Sequence, residues 1–131
     1  MEKELDLDFG SEANGQLQHH SVMMARLIRS TCHALRDSHW IDRSALTQLY
    51  RAGTSVGANV REAKYAESRR DFIHKLKIAE KELAETLYWV GLLSSHPGII
   101  NAVDRKELLE EIRIVRSLLR SIVRSSKTVT P

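Results

Sequence analysis

The chain is poor in the residues that break helices and build sheets. Two prolines and six glycines in 131 residues, with 5% aromatics, leave little material for tight turns or for alternating β-branched and aromatic strands. That scarcity argues against a β architecture, and abundant Leu, Ala, Glu, Arg and Lys argue for helices. A single cysteine, Cys32, excludes an intrachain disulfide and fits a reducing compartment. The longest uninterrupted apolar run, Leu87 to Leu93, has seven residues, against the roughly 20 that cross a bilayer. No membrane span is expected. The stretch Met1 to Phe9 is acidic and does not read as a signal peptide, so the expected location is cytoplasmic.

Catalytic chemistry is also missing from the pattern. A four-helix di-metal carboxylate site needs Glu-x-x-His pairs, and none occurs here. His19 and His20 are adjacent, which on a helix turns them about 100° apart. Gly53 and Gly57 fall inside a helical pattern, not between a strand and a helix, so they form no phosphate loop. The expectation is a protein without catalytic residues, metal or cofactor.

What is present is helical periodicity in four stretches. The first helix is expected from about Gln16 to Asp37, with Val22, Met23, Leu27, Ile28, Thr31 and Leu35 as its apolar face. Ser38 to Ile41 reads as a connection, and Asp42 or Ser44 as the cap of a second helix ending near Ala66. Ser68 with Asp71 predicts a capped start for the third helix, which runs to about Ser94 on a stripe of Phe72, Leu76, Ala79, Leu83, Leu87 and Val90. Ile73, Tyr88, Trp89, Leu92 and Leu93 lie partly outside that stripe, more apolar surface than one partner covers, which points to self-association. His96-Pro97-Gly98 breaks the chain. Asp104 with Glu107 predicts another capping box before a fourth helix whose Leu108, Ile112, Val115, Leu119 and Ile122 make a bundle seam. The predicted fold is all-α, an antiparallel up-down-up-down four-helix bundle over residues 16–125. Residues 1–15 are read as a disordered acidic tail and 126–131 as a frayed end.

Two sets of polar residues stand out. Ser55, Asn59 and Glu62 share a face of the second helix by their i, i+4, i+7 spacing. Asn59 can meet Glu82 and Glu85 across the bundle, and Lys75, Lys77 or Arg61 can neutralise Glu62. This network is expected to lock helix register, as a buried Asn does in coiled coils. The other set is basic. Arg113, Arg116, Arg120, Arg124 and Lys127 line one face of the last helix, and no acid interrupts residues 112–131. Arg61, Lys64, Arg69 and Arg70 cluster around the second turn. Net charge is +3, but residues 1–12 hold five acids and one base, so residues 13–131 carry 19 bases against 12 acids, a net +7. A basic body favours a polyanionic partner met through phosphates, and the acidic tail can compete for the same surface.

The stretch Leu49 to Ala63 and the stretch Ser68 to Val90 carry a recognisable pattern: Ser55, Asn59 and Glu62, then Ser68, Asp71 and Phe72, then Lys75, Ala79, Glu82, Glu85, Tyr88 and Trp89. Over about residues 45–95 the chain resembles the four-helix-bundle proteins encoded in bacterial 23S rRNA intervening sequences. A Phe-Pro-x-Glu connection usual after their first helix is replaced here by Ser38-His39-Trp40-Ile41. The chain is also similar to the accessory variability proteins of diversity-generating retroelements. The resemblance implies a homopentameric ring with no enzyme activity, and RNA, DNA, a reverse transcriptase or another protein as partner. The expected function is non-enzymatic, sequence-tolerant nucleic-acid binding by an oligomeric bundle. The alternative is a protein-interaction scaffold with no nucleic-acid role.

Overall fold

A computed structural model describes residues 11–38, 41–95, 100 and 102–128. These form four helices: α1 Ser11–Leu35, α2 Arg43–Ala63, α3 Arg69–Ser94 and α4 Ala102–Thr128. Among the described residues there is no strand. Helix α1 packs on α2 and α4, and α3 packs on α2 and α4, so the chain closes a four-membered circuit. Interhelical bonds fix the levels at which neighbours meet. Gln18 donates to the Val60 carbonyl at 3.2 Å; the Cys32 thiol faces the Leu46 carbonyl at 3.7 Å. Lys75 meets Glu62, whereas Arg51 meets Glu82 and Glu85. His20 Nδ1 lies 2.7 Å from Glu111 Oε1.

One continuous core runs through the circuit. Each helix contributes a seam at three-, four- and seven-residue steps: Leu17, Met24, Ile28, Cys32 and Leu35 from α1, Leu46, Leu49, Val56 and Val60 from α2, Phe72, Leu76, Ala79, Leu83 and Val90 from α3, and Leu108, Ile112, Val115, Leu119 and Ile122 from α4. The α4 seam is the one its periodicity predicts. That of α1 is shifted. Val22, Met23, Leu27 and Thr31 are only half-buried, while Ser21 and Met24 take the interior. The run Val22-Met23-Met24 leaves the helical phase undetermined by hydrophobicity. Packing resolves it: Ser21 is buried beside Gly57, and Met24 and Ile28 follow on the same face. Leu93, expected partly outside the α3 stripe, is buried.

Helix ends follow local chemistry. Asp42 has extended backbone, and its carboxylate accepts from the amides of Ser44 at 3.0 Å and Ala45 at 3.4 Å, capping α2. Ser68 caps α3 through the Asp71 amide at 3.0 Å, and Asp71 accepts from the Glu67 amide at 3.2 Å. The reciprocal acid therefore reaches one residue beyond the cap. Helix α2 stops at Ala63, earlier than its periodicity predicts, in a turn that still buries Ala66.

Two other boundaries differ more. Helix α1 begins at Ser11, so residues 11–15 of the tail read over residues 1–15 are helical, and residues 1–10 lie outside the described residues. Helix α4 begins at Ala102, which places Asp104 in its first turn and not at the cap. It continues to Thr128, past the predicted fraying point, and Ser126 is buried with its hydroxyl bonded to the Ile122 carbonyl at 2.7 Å. The connecting residues His39, Trp40 and His96-Pro97-Gly98 and the terminal residues 129–131 lie outside the described residues.

Glycines set the spacing of α1 and α2. A Cβ built at Gly53 would overlap the Ile28 side chain, whose Cγ2 lies 3.2 Å away. One at Gly57 would lie 3.5 Å from the Ser21 carbonyl oxygen, an ordinary contact. Close approach is thus enforced at Gly53.

Candidate nucleic-acid interface

The polar residues of α2 and α3 divide into separate groups. Asn59 Nδ2 donates to the Ser55 carbonyl at 2.9 Å and to the Ser55 hydroxyl at 3.3 Å, one turn back on its own helix. Glu62 is exposed and takes Lys75 from α3 at 2.9 Å, which holds the ammonium in its charged form to higher pH. Glu82 and Glu85 do not receive Asn59. They receive Arg51, at 3.2 and 2.5 Å, in a two-carboxylate clamp.

Arg51 is the residue the sequence reading missed. It lies four positions before Ser55, on the same face, and that spacing was the available signal. A guanidinium reaches across an interhelical gap that an Asn amide does not. The hydrogen bond from Arg51, followed by one from the Trp89 indole at 3.0 Å, holds the Glu85 carboxyl below the ordinary carboxylate range. The same bond raises the Arg51 guanidinium further above its usual value. Of the residues expected to form one register-locking network, Ser55 and Asn59 bond within α2, whereas Glu82 and Glu85 cross to Arg51 and Glu62 crosses to Lys75.

The basic residues sit on the outside. Arg113, Arg116, Arg120 and Arg124 are all exposed along α4. With Ser117 and Ser121 they line a shallow groove of about 280 Å³. Arg113 pairs with Glu110 at 2.8 Å; beyond Glu111 the sequence contains no further acid. This arrangement presents guanidinium forks and hydroxyls to a bound anion, the donor set suited to phosphate oxygens. Arg61, Lys64 and Arg70 are exposed at the end of α2 and the start of α3, while Arg69 is half-buried. Arg61 is steered by Gln18, whose side-chain carbonyl accepts at 3.4 Å.

The same Gln18 bonds Val60, and two residues along α1 His20 bonds Glu111. The α2–α3 basic cluster and the start of the α4 arginine row thus flank one level of α1. His19 stacks edge-on against His20 at 5.0 Å. Among the described residues no group of three His, Cys, Asp or Glu side chains is placed to hold a metal ion. Burial pushes the Cys32 thiol up to about 11, so it is not a thiolate nucleophile near neutrality. No helix of the described residues is long and apolar enough to cross a membrane.

Comparison with known proteins gives a family. The chain resembles, at 34% identity with a TM-score of 0.78, the crystal structure of a protein of unknown function from the S23 ribosomal protein family of Bacteroides thetaiotaomicron; the match covers 86% of this chain and 98% of that one. No significant match was found among curated proteins. Residues 17–121, from the first buried leucine of α1 to the arginine row of α4, match the model for the 23S rRNA-intervening sequence protein. The extent of that match, together with the four helices and the shared fold, places this chain in the 23S rRNA-intervening sequence protein family.

Proposed function

We propose that this protein is a non-enzymatic, self-assembling, cytoplasmic bundle that binds RNA or DNA through phosphates. The observation that carries the reading is the α4 groove, in which four arginines and two serines follow one another along a segment with no acid after Glu111. Four guanidinium–phosphate contacts give affinity without reading sequence, because phosphates carry no base identity. In an antiparallel up-down-up-down arrangement, which the paired levels Gln18–Val60 with Cys32–Leu46 and Glu62–Lys75 with Arg51–Glu82 favour for the first three helices, Arg116, Arg120 and Arg124 climb toward the end of the bundle that carries the α2–α3 turn. Both basic groups then serve one polyanion.

Assembly is supported by a second surface. Tyr88 is 63% exposed and Leu92 47% exposed, one turn apart on α3, with Trp89 edge-on to Tyr88 at 4.9 Å. An apolar patch of this kind is covered in a homo-oligomer, read here as a pentameric ring, and a ring would multiply the basic surface fivefold.

Gel mobility shifts with RNA and DNA at two salt concentrations test the proposal. Binding at low salt should weaken on a log–log slope of about −3 for four phosphate contacts to a single strand. Arg116→Glu with Arg120→Glu should abolish the shift while light scattering shows an unchanged oligomer. Absence of any shift at low salt would overturn the reading, and nuclease-resistant capture of one protein partner would then favour the scaffold alternative.

A further inference from the structure

Among the described residues the exposed aromatics, Tyr50, Tyr65 and Tyr88, are not alike. Tyr88 and Leu92 belong to one apolar face, and self-assembly accounts for them. Tyr65 does not belong to that face. It is 72% exposed, the highest value among the exposed large hydrophobic residues, and it lies in the α2–α3 turn. Its neighbours in sequence are charged: Arg61, Glu62 and Lys64 before it, Glu67 and Arg70 after it, all exposed.

The turn holds the backbone beneath the ring in place. The amides of Lys64, Tyr65 and Ala66 donate to the carbonyls of Arg61, Glu62 and Ala63 at 3.1, 3.0 and 3.1 Å. Ala63 and Ala66, on either side, are buried. The Ser68 cap and the bond from the Glu67 amide to Asp71 fix the chain where it leaves the turn. A phenol raised from a backbone anchored at both sides offers a π face at low cost in conformational entropy. The local acids are partly occupied, Glu62 by Lys75 and Asp71 by the Glu67 amide. Arg61, Lys64 and Arg70 are exposed within five residues of Tyr65, Arg61 with its Nε donating to Gln18.

We infer that Tyr65 is a stacking platform for an unpaired nucleobase, with Arg61, Lys64 and Arg70 taking the flanking phosphates. An aromatic face among cations is the arrangement that holds single strands, because every base has a π face whereas bases inside a duplex are already stacked. This inference rests on the nucleic-acid reading above and adds to it a preference for single-stranded over double-stranded ligand. The α4 groove, which offers only phosphate donors, treats the two forms alike.

Fluorescence anisotropy on the intact protein tests it, with a labelled 12-nucleotide oligouridylate and a 12-base-pair RNA duplex as probes. Tyr65→Ala should weaken binding of the single strand about 5- to 150-fold, the range for loss of one base–aromatic stack, and change duplex binding less than about twofold. Tyr65→Phe should retain the affinity of the parent protein. Circular dichroism melting should be unchanged in both variants, because the ring is exposed. An equal loss on both probes, or no loss on the single strand, overturns the stacking role and leaves phosphate binding standing. Failure of the parent protein to bind either probe at low salt overturns the nucleic-acid reading, and the stacking role falls with it.

Discussion

The α1–α2 and α2–α3 interfaces hold the same helix by different means. Against α1, helix α2 presents small residues. Ile28 lies over Gly53, Ser21 lies beside Gly57, and no Cβ fits at Gly53 without movement of Ile28. Against α3, helix α2 is tied at its exposed rim by long charged side chains, Arg51 to Glu82 and Glu85, and Lys75 to Glu62. The first interface fixes distance and is intolerant of added volume at Gly53. The second fixes register through flexible groups that water can replace, so its loss is cheaper. Steric limits in a close-packed interior are sharp, whereas ion pairs in contact with solvent contribute little each.

Three substitutions probe that difference, in descending order of effect. Gly53→Val should destabilise the bundle by about 1–3 kcal/mol through overpacking against Ile28, read from urea denaturation midpoints. Pairing it with Ile28→Val should recover part of the loss; additivity of the two changes would show that Ile28 is not the obstacle. Gly57→Ala should go the other way, a gain of up to about 1 kcal/mol from helix propensity, since the added methyl meets Ser21 at ordinary contact distance. A loss at this position would mean that the α1–α2 approach is closed along its whole length.

Arg51→Ala should have the smallest effect at neutral pH, and a characteristic sign with pH. The Glu85 carboxyl has a folded-state value below its unfolded one. Its contribution is therefore present above the ordinary carboxylate range and lost as pH falls through the depressed value. The stability difference between parent and Arg51→Ala should shrink in acid, and also in high salt. A difference that persists under both conditions would place Arg51's role in packing of its stem.

Much of the fold was legible in the sequence, for identifiable reasons. In α4 the 4-3-4-3 spacing of Leu108, Ile112, Val115, Leu119 and Ile122 marks the seam, and all five are buried as read. In α3, Ser68 and Phe72 announce the start. In α1, three consecutive apolar residues allow two phases, and the contacts that accompany the observed one, Ile28 over Gly53 and Ser21 beside Gly57, are long-range. The polar residues show the same limit. The face shared by Ser55, Asn59 and Glu62 could be read from spacing, but their partners depend on side-chain reach across a gap. Arg51 was on that face and went unweighed because long basic residues are usually solvated. The α4 arginine row was legible because four exposed cations at helical spacing need no tertiary information. The exposure of Tyr65 did need it, since nothing in the sequence says where the turn points.

Trp89 makes the α2–α3 tie visible to light. The chain has two tryptophans, Trp40 and Trp89, so replacing Trp40 with Phe leaves a single emitter. Its indole nitrogen is bonded to Glu85, whose carboxylate is held by Arg51, and its ring edge meets Tyr88 on the exposed apolar face. Emission from that one ring should register protonation of Glu85, and it should also register covering of Tyr88 if the proposed self-assembly takes place. Acid titration and dilution can then be followed separately in the same cuvette, without an added label.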